Sequence, residues 1–334
     1  AGLGLWYDPR FYDDAKLPCA PECLPVYAHS LASIIVAERG LSRKMLVLDL
    51  DNTLWGGTVG DLGPYDIVLG QSSGEGEAFL RFQQYAKELS RFGVVLGVCS
   101  NNSLEKAREP FELNPNMVLV LGDFASFQAN WESKVDKLRA MAAEVNLGLD
   151  SLVLVDDNPA ERALVRRLIP EVAVPDMPED PSQYVRALAE YRYFERVSLT
   201  GEDLKRSVYY ADSRKRRELE RACDTLDGFL KSLNMRATFA PIAAENLDRA
   251  AQLIARSNQF NLTGLRRTRD ELLEIRRNAE WKSLTATLTD ACGDNGLIAV
   301  LLLRPQERAL VIDTWVMSCR VLQRGMENKI LAKL

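Results

Sequence analysis

Two aspartates two residues apart, Asp49 and Asp51 in the run DLDNT, close the apolar stretch MLVL and have the type and spacing for catalysis. In an extended strand, positions i and i+2 share a face, so a following turn can deliver both carboxylates to one pocket. Like charges this close repel unless a cation or a shared proton offsets them. Farther along, Asp156 and Asp157 close a second apolar run, SLVLV. Oxygen-only donors of this kind suit Mg²⁺ better than zinc. A carboxylate nucleophile beside such an ion is a route to an aspartyl-phosphate intermediate. A DxD pair taken alone also reads as a turn or helix cap, which aspartate commonly makes.

The elements that must position these groups follow from patterning. The runs MLVLDLD, VVLGVCS, MVLVLGD, SLVLVDD and VAVPD read as strands, and the amphipathic stretches near 75–92, 103–112, 131–146 and 159–168 as helices. Alternation of the two predicts an α/β domain built on a doubly wound, mostly parallel sheet. Asp49 to Asp51, Ser100, and Asp156 with Asp157 then stand at strand ends, the carboxyl edge where open α/β sheets bind ligands. Residues 1–42 read as an N-terminal arm with a helix around 25–39, and residues 43–190 as the α/β domain. Residues 191–234 read as a helical linker in which RKRRELERA makes a solvated face. Residues 235–334 read as a smaller α+β domain. Its strands MRATFAPI, WKSLTATLTD, GLIAVLLLR and ALVIDTWVMS pair antiparallel, with helices over 245–258 and 268–277.

Composition excludes some functions. The chain has 334 residues, 47% of them hydrophobic, and a formal net charge of -5. That balance argues against nucleic acid or an anionic membrane as partner, with the Arg214–Arg217 and Arg266–Arg269 clusters only local exceptions. No apolar run approaches the roughly 18 residues of a membrane span, so a soluble cytoplasmic protein is expected. Six cysteines without a CxxC pair, and one histidine, make a poor zinc set, and reduced thiols are expected. The chain starts at Ala1, and GMENKILAKL is a helical pattern without a stop signal, which suggests a piece of a longer protein.

DLDNT, Ser100 after VVLGVC, Lys134 in ESKVDKL and the pair Asp156–Asp157 match the four haloacid dehalogenase motifs in order. The resemblance implies that Asp49 attacks phosphorus, that Asp51 protonates the leaving group and then activates water, and that Ser100 and Lys134 hold phosphoryl oxygens. Asp49, the backbone carbonyl of Asp51 and Asp156 would bind Mg²⁺ with Asp157 nearby, and Asn52, Thr53 and Asn101 would line the substrate. The intervals between motifs leave no room for a cap insertion, so the site should be open and closed by a large substrate or another domain. Over nearly the whole chain, LDLDNTLWGG, VCSNN, NWESK, SNQFNLT, GDNGLI and DTWVMSCRVLQRG resemble FkbH-like glyceryl transferase/phosphatases of polyketide biosynthesis. Members of that family take 1,3-bisphosphoglycerate, pass the glyceryl group through a cysteine to the phosphopantetheine arm of an acyl carrier protein, and remove the remaining phosphate. The chain departs from the pattern at Asn101, where lysine is expected, and at Gln323, where glycine is expected.

The second domain resembles a GNAT-like acyltransferase: ALVIDTWVMS would be its central strand and CRVLQRGMENKIL its phosphate loop and helix. Arg320, Arg324 and Gly325 would then receive the phosphopantetheine phosphate, although a plain strand-to-helix turn fits the same residues. For the acyl nucleophile, Cys319 is expected before a helix N-terminus that favours a thiolate. Cys99 is the rival, next to Ser100 but turned away by strand alternation. Asn258 and Asn261, with Asp294 and Asn295 in GDNG, are possible substrate contacts, and GDNG by default is a hairpin turn. Trp55, Trp131 and Trp315 read as core. Rival functions are a simple Mg²⁺-dependent phosphatase with a carrier-docking domain, and a docking module without turnover.

Overall fold

The computed structural model describes residues 6–197, 216, 219–220, 222–257, 260–306 and 309–334. Helices α1 (Pro9–Ala15) and α2 (Leu24–Glu38) precede the first strand. Then β1 (Met45–Leu48), α3 (Val59–Leu62), α4 (Gly74–Arg91), β2 (Val95–Ser100), α5 (Leu104–Leu113), β3 (Phe124–Ala129), α6 (Lys134–Val145), β4 (Leu152–Val155), α7 (Pro159–Leu168) and α8 (Tyr184–Glu190) follow in order. The four strands are parallel, in the order β3-β2-β1-β4. Alternation along β1 sends Leu46 and Leu48 against Phe79 and Phe82 of α4, and Met45 and Val47 into a second cluster with Leu138 and Met141 of α6. Both faces are therefore covered, which is why the strands read as unbroken apolar runs.

The chain steps from β1 outward to β3 and then returns to set β4 on the other side of β1. That reversal leaves a crevice at the carboxyl ends of β1 and β4. Asp49 follows one of these ends and Asp156 the other. Ser133 caps α6 by accepting from Asp136 N, which fixes Lys134 as the first residue of that helix.

Two predicted strands are corrected. The third strand is Phe124–Ala129, not MVLVLGD at 117–123. There Gln83 of α4 accepts from Val118 N and Leu119 N, and Asp123 accepts from Val120 N while pairing with Lys87. With those amides held by side chains, a short 3-10 turn at Leu121–Asp123 redirects the chain instead of extending it. VAVPD contributes a single bridge between Ala173 and Val153 rather than a strand.

After α9 (Leu226–Ser232), β5 (Arg236–Ala240), α10 (Leu247–Arg256), α11 (Arg269–Arg277), β6 (Lys282–Asp290), β7 (Gly293–Gln306), β8 (Ala309–Met317) and α12 (Met326–Leu331) build a separate region. Its sheet runs β5-β6-β7-β8 and is antiparallel throughout. Leu253 of α10 and Leu272 of α11 pack on Val300 and Val316 in one cluster, while Met326 and Ile330 of α12 join a second cluster with Leu301 and Trp315. Much of the expected 191–234 linker lies outside the described residues. GDNG is not the hairpin turn: β6 and β7 turn through Ala291 and Cys292, and GDNG opens β7 with a register shift. No helix among the described residues is long and apolar enough to cross a membrane.

Candidate active site

Asp49 is pinned to the neighbouring strand where its N–H donates to Val155 O at 3.0 Å. Asn52 then takes a positive φ of 55°, a conformation asparagine tolerates, and its carbonyl accepts from Tyr184 Oη at 3.0 Å. The turn returns Thr53 N and Leu54 N to Leu50 O. It holds Asp51 by three donors: Oδ1 accepts from Trp55 Nε1 and Val59 N, both at 2.9 Å, and Oδ2 from Asn102 Nδ2 at 2.7 Å. The Asn102 amide also lies 3.4 Å from Ser100 Oγ, so one side chain ties the second aspartate to the end of β2.

One carboxylate oxygen each from Asp49, Asp156 and Asp157 lie within 4.8 Å of one another. Oxygens around a Mg²⁺ at about 2.1 Å span at most about 4.2 Å, so a small contraction would close this set on the ion. The Asp51 side chain, already engaged elsewhere, is not in the cluster. Lys134 enters it instead, with Nζ 2.5 Å from Asp156 Oδ2 and 3.2 Å from Asp49 Oδ1. The second contact is poorly aligned, which leaves Asp49 Oδ1 buried without a hydrogen bond. That oxygen is where both a cation and an electrophilic phosphorus would be drawn. Burial pushes the Asp49 carboxyl up to about 7; Lys134 opposes the shift and Asp156 adds to it. Burial and Asp156 likewise raise Asp157. Burial works against the Lys134 ammonium, yet Asp49 and Asp156 together raise its pKa.

The two serine-end neighbours divide their roles. Asn101 is exposed, and its side chain donates to Glu161 and accepts from Lys137. Asn102 is buried and faces Asp51. Thr53 Oγ1 is buried with no hydrogen-bond partner. Asn102, Trp55 Nε1 and Lys137 are site groups that sequence reasoning did not single out. For Lys137 the pattern gave no signal, because a lysine one turn into an amphipathic helix reads as a solvated charge. Trp55 is in the core as expected, whereas Trp131, next to Asn130 on the loop before Lys134, is 77% exposed.

The cysteine candidates are separated. Cys99 is fully buried among Val47, Leu138 and Met141, and burial pushes its thiol up to about 12, so it carries no thiolate at neutral pH. Cys319 is partly exposed at the head of a single 3-10 turn, Cys319–Val321. The helix expected directly after it starts only at Met326, following Gln323 and Gly325 in left-handed conformations. The Cys319 carbonyl accepts from the Asn146 side chain, which closes the far end of α6. Arg324 lies 3.3 Å from Asp290, a carboxylate also held by Arg216 at 2.7 Å, so its guanidinium is engaged within the second sheet. Arg320 is at the 3-10 turn, and Gly325 precedes α12.

The remaining candidates are local braces. Asn261 accepts from Gly264 N and donates to Leu265 O, Asp294 accepts from Gly296 N, and buried Asn295 donates to Asp290. Asn258 lies outside the described residues.

No family model matches the chain, and no curated protein does. Among solved structures, the chain is similar to the N-terminal part of protein BF1531 from Bacteroides fragilis, described as containing a phosphatase domain complexed with Mg. The two are 44% identical, with a TM-score of 0.57 over 59% of this chain. The match spans 53% of the other chain, about half its length.

Proposed function

We propose that the chain is a Mg²⁺-dependent phosphatase of the haloacid dehalogenase type joined to a glyceryl transferase. It would take 1,3-bisphosphoglycerate and deliver glyceryl to the thiol of an acyl carrier protein. The observation that carries the phosphatase half is the buried Asp49 oxygen, ion-paired with Lys134 but without a hydrogen bond, inside a three-carboxylate cluster. The 44% identical neighbour whose phosphatase domain holds Mg supports the same reading.

In this chemistry Asp49 attacks phosphorus and Asp51 gives its proton to the departing oxygen. Water then attacks the aspartyl-phosphate, Asp51 takes the proton back, and phosphate leaves. Asp49, Asp156 and Asp157 would hold Mg²⁺, which supplies positive charge against the phosphoryl oxygens. Three donors keep the Asp51 carboxylate in one orientation before substrate arrives.

The transferase half rests on the resemblance of the second region and on its partly exposed Cys319. A thiolate there would attack the acyl carbon of the mixed anhydride, break its bond to the phosphate oxygen, and then exchange with the carrier thiol. Intact-protein mass spectrometry with 1,3-bisphosphoglycerate, Mg²⁺ and holo carrier protein tests both halves. A glyceryl carrier adduct should form, and Asp49→Asn should stop at the phosphoglyceryl adduct. Phosphate release with no acylated protein would leave a plain phosphatase with a docking domain.

A further inference from the structure

Lys137 is the least expected group near the site. Its side chain leaves α6 and is 1% exposed, yet its ammonium contacts three acceptors: Ser100 O at 2.7 Å, Asn101 Oδ1 at 2.6 Å and Asn130 O at 2.9 Å. Two of these belong to the end of β2 and the third to the end of β3, so one cation joins the loop carrying Ser100 to the loop leading to Lys134. A buried ammonium persists only where its donors are satisfied, and these three acceptors satisfy all three.

The direction of the grip matters. Ser100 O faces β3, where it also receives Asn130 N at 3.4 Å. In a planar trans peptide the carbonyl and the following N–H point in opposite directions. Asn101 N–H therefore points toward β1, whose end carries Asp49 and Asp51, and it donates to no group among the described residues. A free N–H held on the side of the strand that leads to Asp49 is a ready donor for charge that develops on a transferring phosphoryl group.

We propose that Lys137 is a positioning residue for phosphoryl transfer, holding the Ser100–Asn101 peptide so that its N–H faces the phosphoryl position before substrate binds. It also accounts for Asn101, which stands where the resemblance expects lysine: the cation sits across the same contact, on the helix rather than on the loop.

The proposal rests on the phosphatase reading, and its test separates the two. With para-nitrophenyl phosphate and Mg²⁺, Lys137→Met should lower kcat by about 10²-fold with KM changed by less than about threefold. Inhibition by orthovanadate, which mimics the transferring group, should weaken by a similar factor. Exchanging the partners, Asn101→Lys with Lys137→Asn, should recover at least about tenfold over Lys137→Met, because the contact is rebuilt from the other side. A parent-like kcat in Lys137→Met, or a fall in melting temperature alone, overturns the proposal while the phosphatase reading stands. An inactive parent overturns both. If Lys137→Met does not fold, the exchanged pair decides: activity within about tenfold of the parent supports the role, and a folded but inactive pair overturns it.

Discussion

Asp49→Asn should make the metal-free protein more stable while abolishing phosphate release. The folded protein lifts the Asp49 carboxyl from an ordinary 3.8 to about 7, mainly through burial. At about 1.4 kcal/mol per unit, keeping this group ionised costs the fold on the order of 4 kcal/mol above pH 7. The folded pKa lies above the unfolded one. The cost is therefore absent below about pH 4, grows between 4 and 7, and is complete above 7. An amide of the same shape removes the charge, although burying it returns about 1–2 kcal/mol, so the net gain is about 2–3 kcal/mol. Lys134 keeps Asp156 as a partner at 2.5 Å and is not stranded. At about 2–4 °C per kcal/mol, the melting temperature at pH 8 should rise by roughly 5–10 °C. Circular dichroism melts in EDTA at pH 8 and pH 5 measure this, with the difference expected to shrink at pH 5. A variant less stable than the parent at pH 8, or a difference independent of pH, refutes the reasoning.

Three further outcomes follow from particular contacts. Mg²⁺ at a hundredfold its dissociation constant should stabilise the parent by about 2.7 kcal/mol, and Asp156→Asn should lose that increment in a thermal shift titration. Gln83→Leu strands Leu54 O, Val118 N and Leu119 N in the core, and urea denaturation should show a loss of about 3 kcal/mol. Gln323→Gly should raise the stability of the second region by about 1 kcal/mol in the same assay, because Gln323 is exposed and held at a φ of 64°.

The four motif positions were legible because residue type and order match together, and Asp49, Ser100, Lys134 and Asp156 each stand at the end or start of an element whose periodicity is strong. Residues that orient them were not. Asn102 and Trp55 act through side chains whose partners lie on other loops, and Lys137 is a charge in a helix whose burial depends wholly on tertiary packing. The third strand was displaced for the same reason. MVLV is more apolar than FASFQA, but Gln83, distant in sequence, takes the amides that a strand would use. GDNG carried the local signature of a turn, and the pairing of Asp290 with Gly293 placed the turn three residues earlier.

The same helix that starts with Lys134 ends at Asn146, and Asn146 holds the Cys319 carbonyl. Twelve residues of α-helix extend about 18 Å. The phosphoryl pocket and the Cys319 loop therefore sit at opposite ends of one rigid rod, too far apart for a three-carbon substrate to touch both at once. If both halves of the proposed chemistry run on this chain, the acyl group must travel between them on something longer than the substrate. A carrier arm would meet that need, and the open site expected from the lack of a cap insertion would admit it. Cys99 has the proximity that Cys319 lacks, but its burial among Val47, Leu138 and Met141 denies it both thiolate character and access. Under the proposed chemistry, distance bridged by an arm fits these positions better than contact without one.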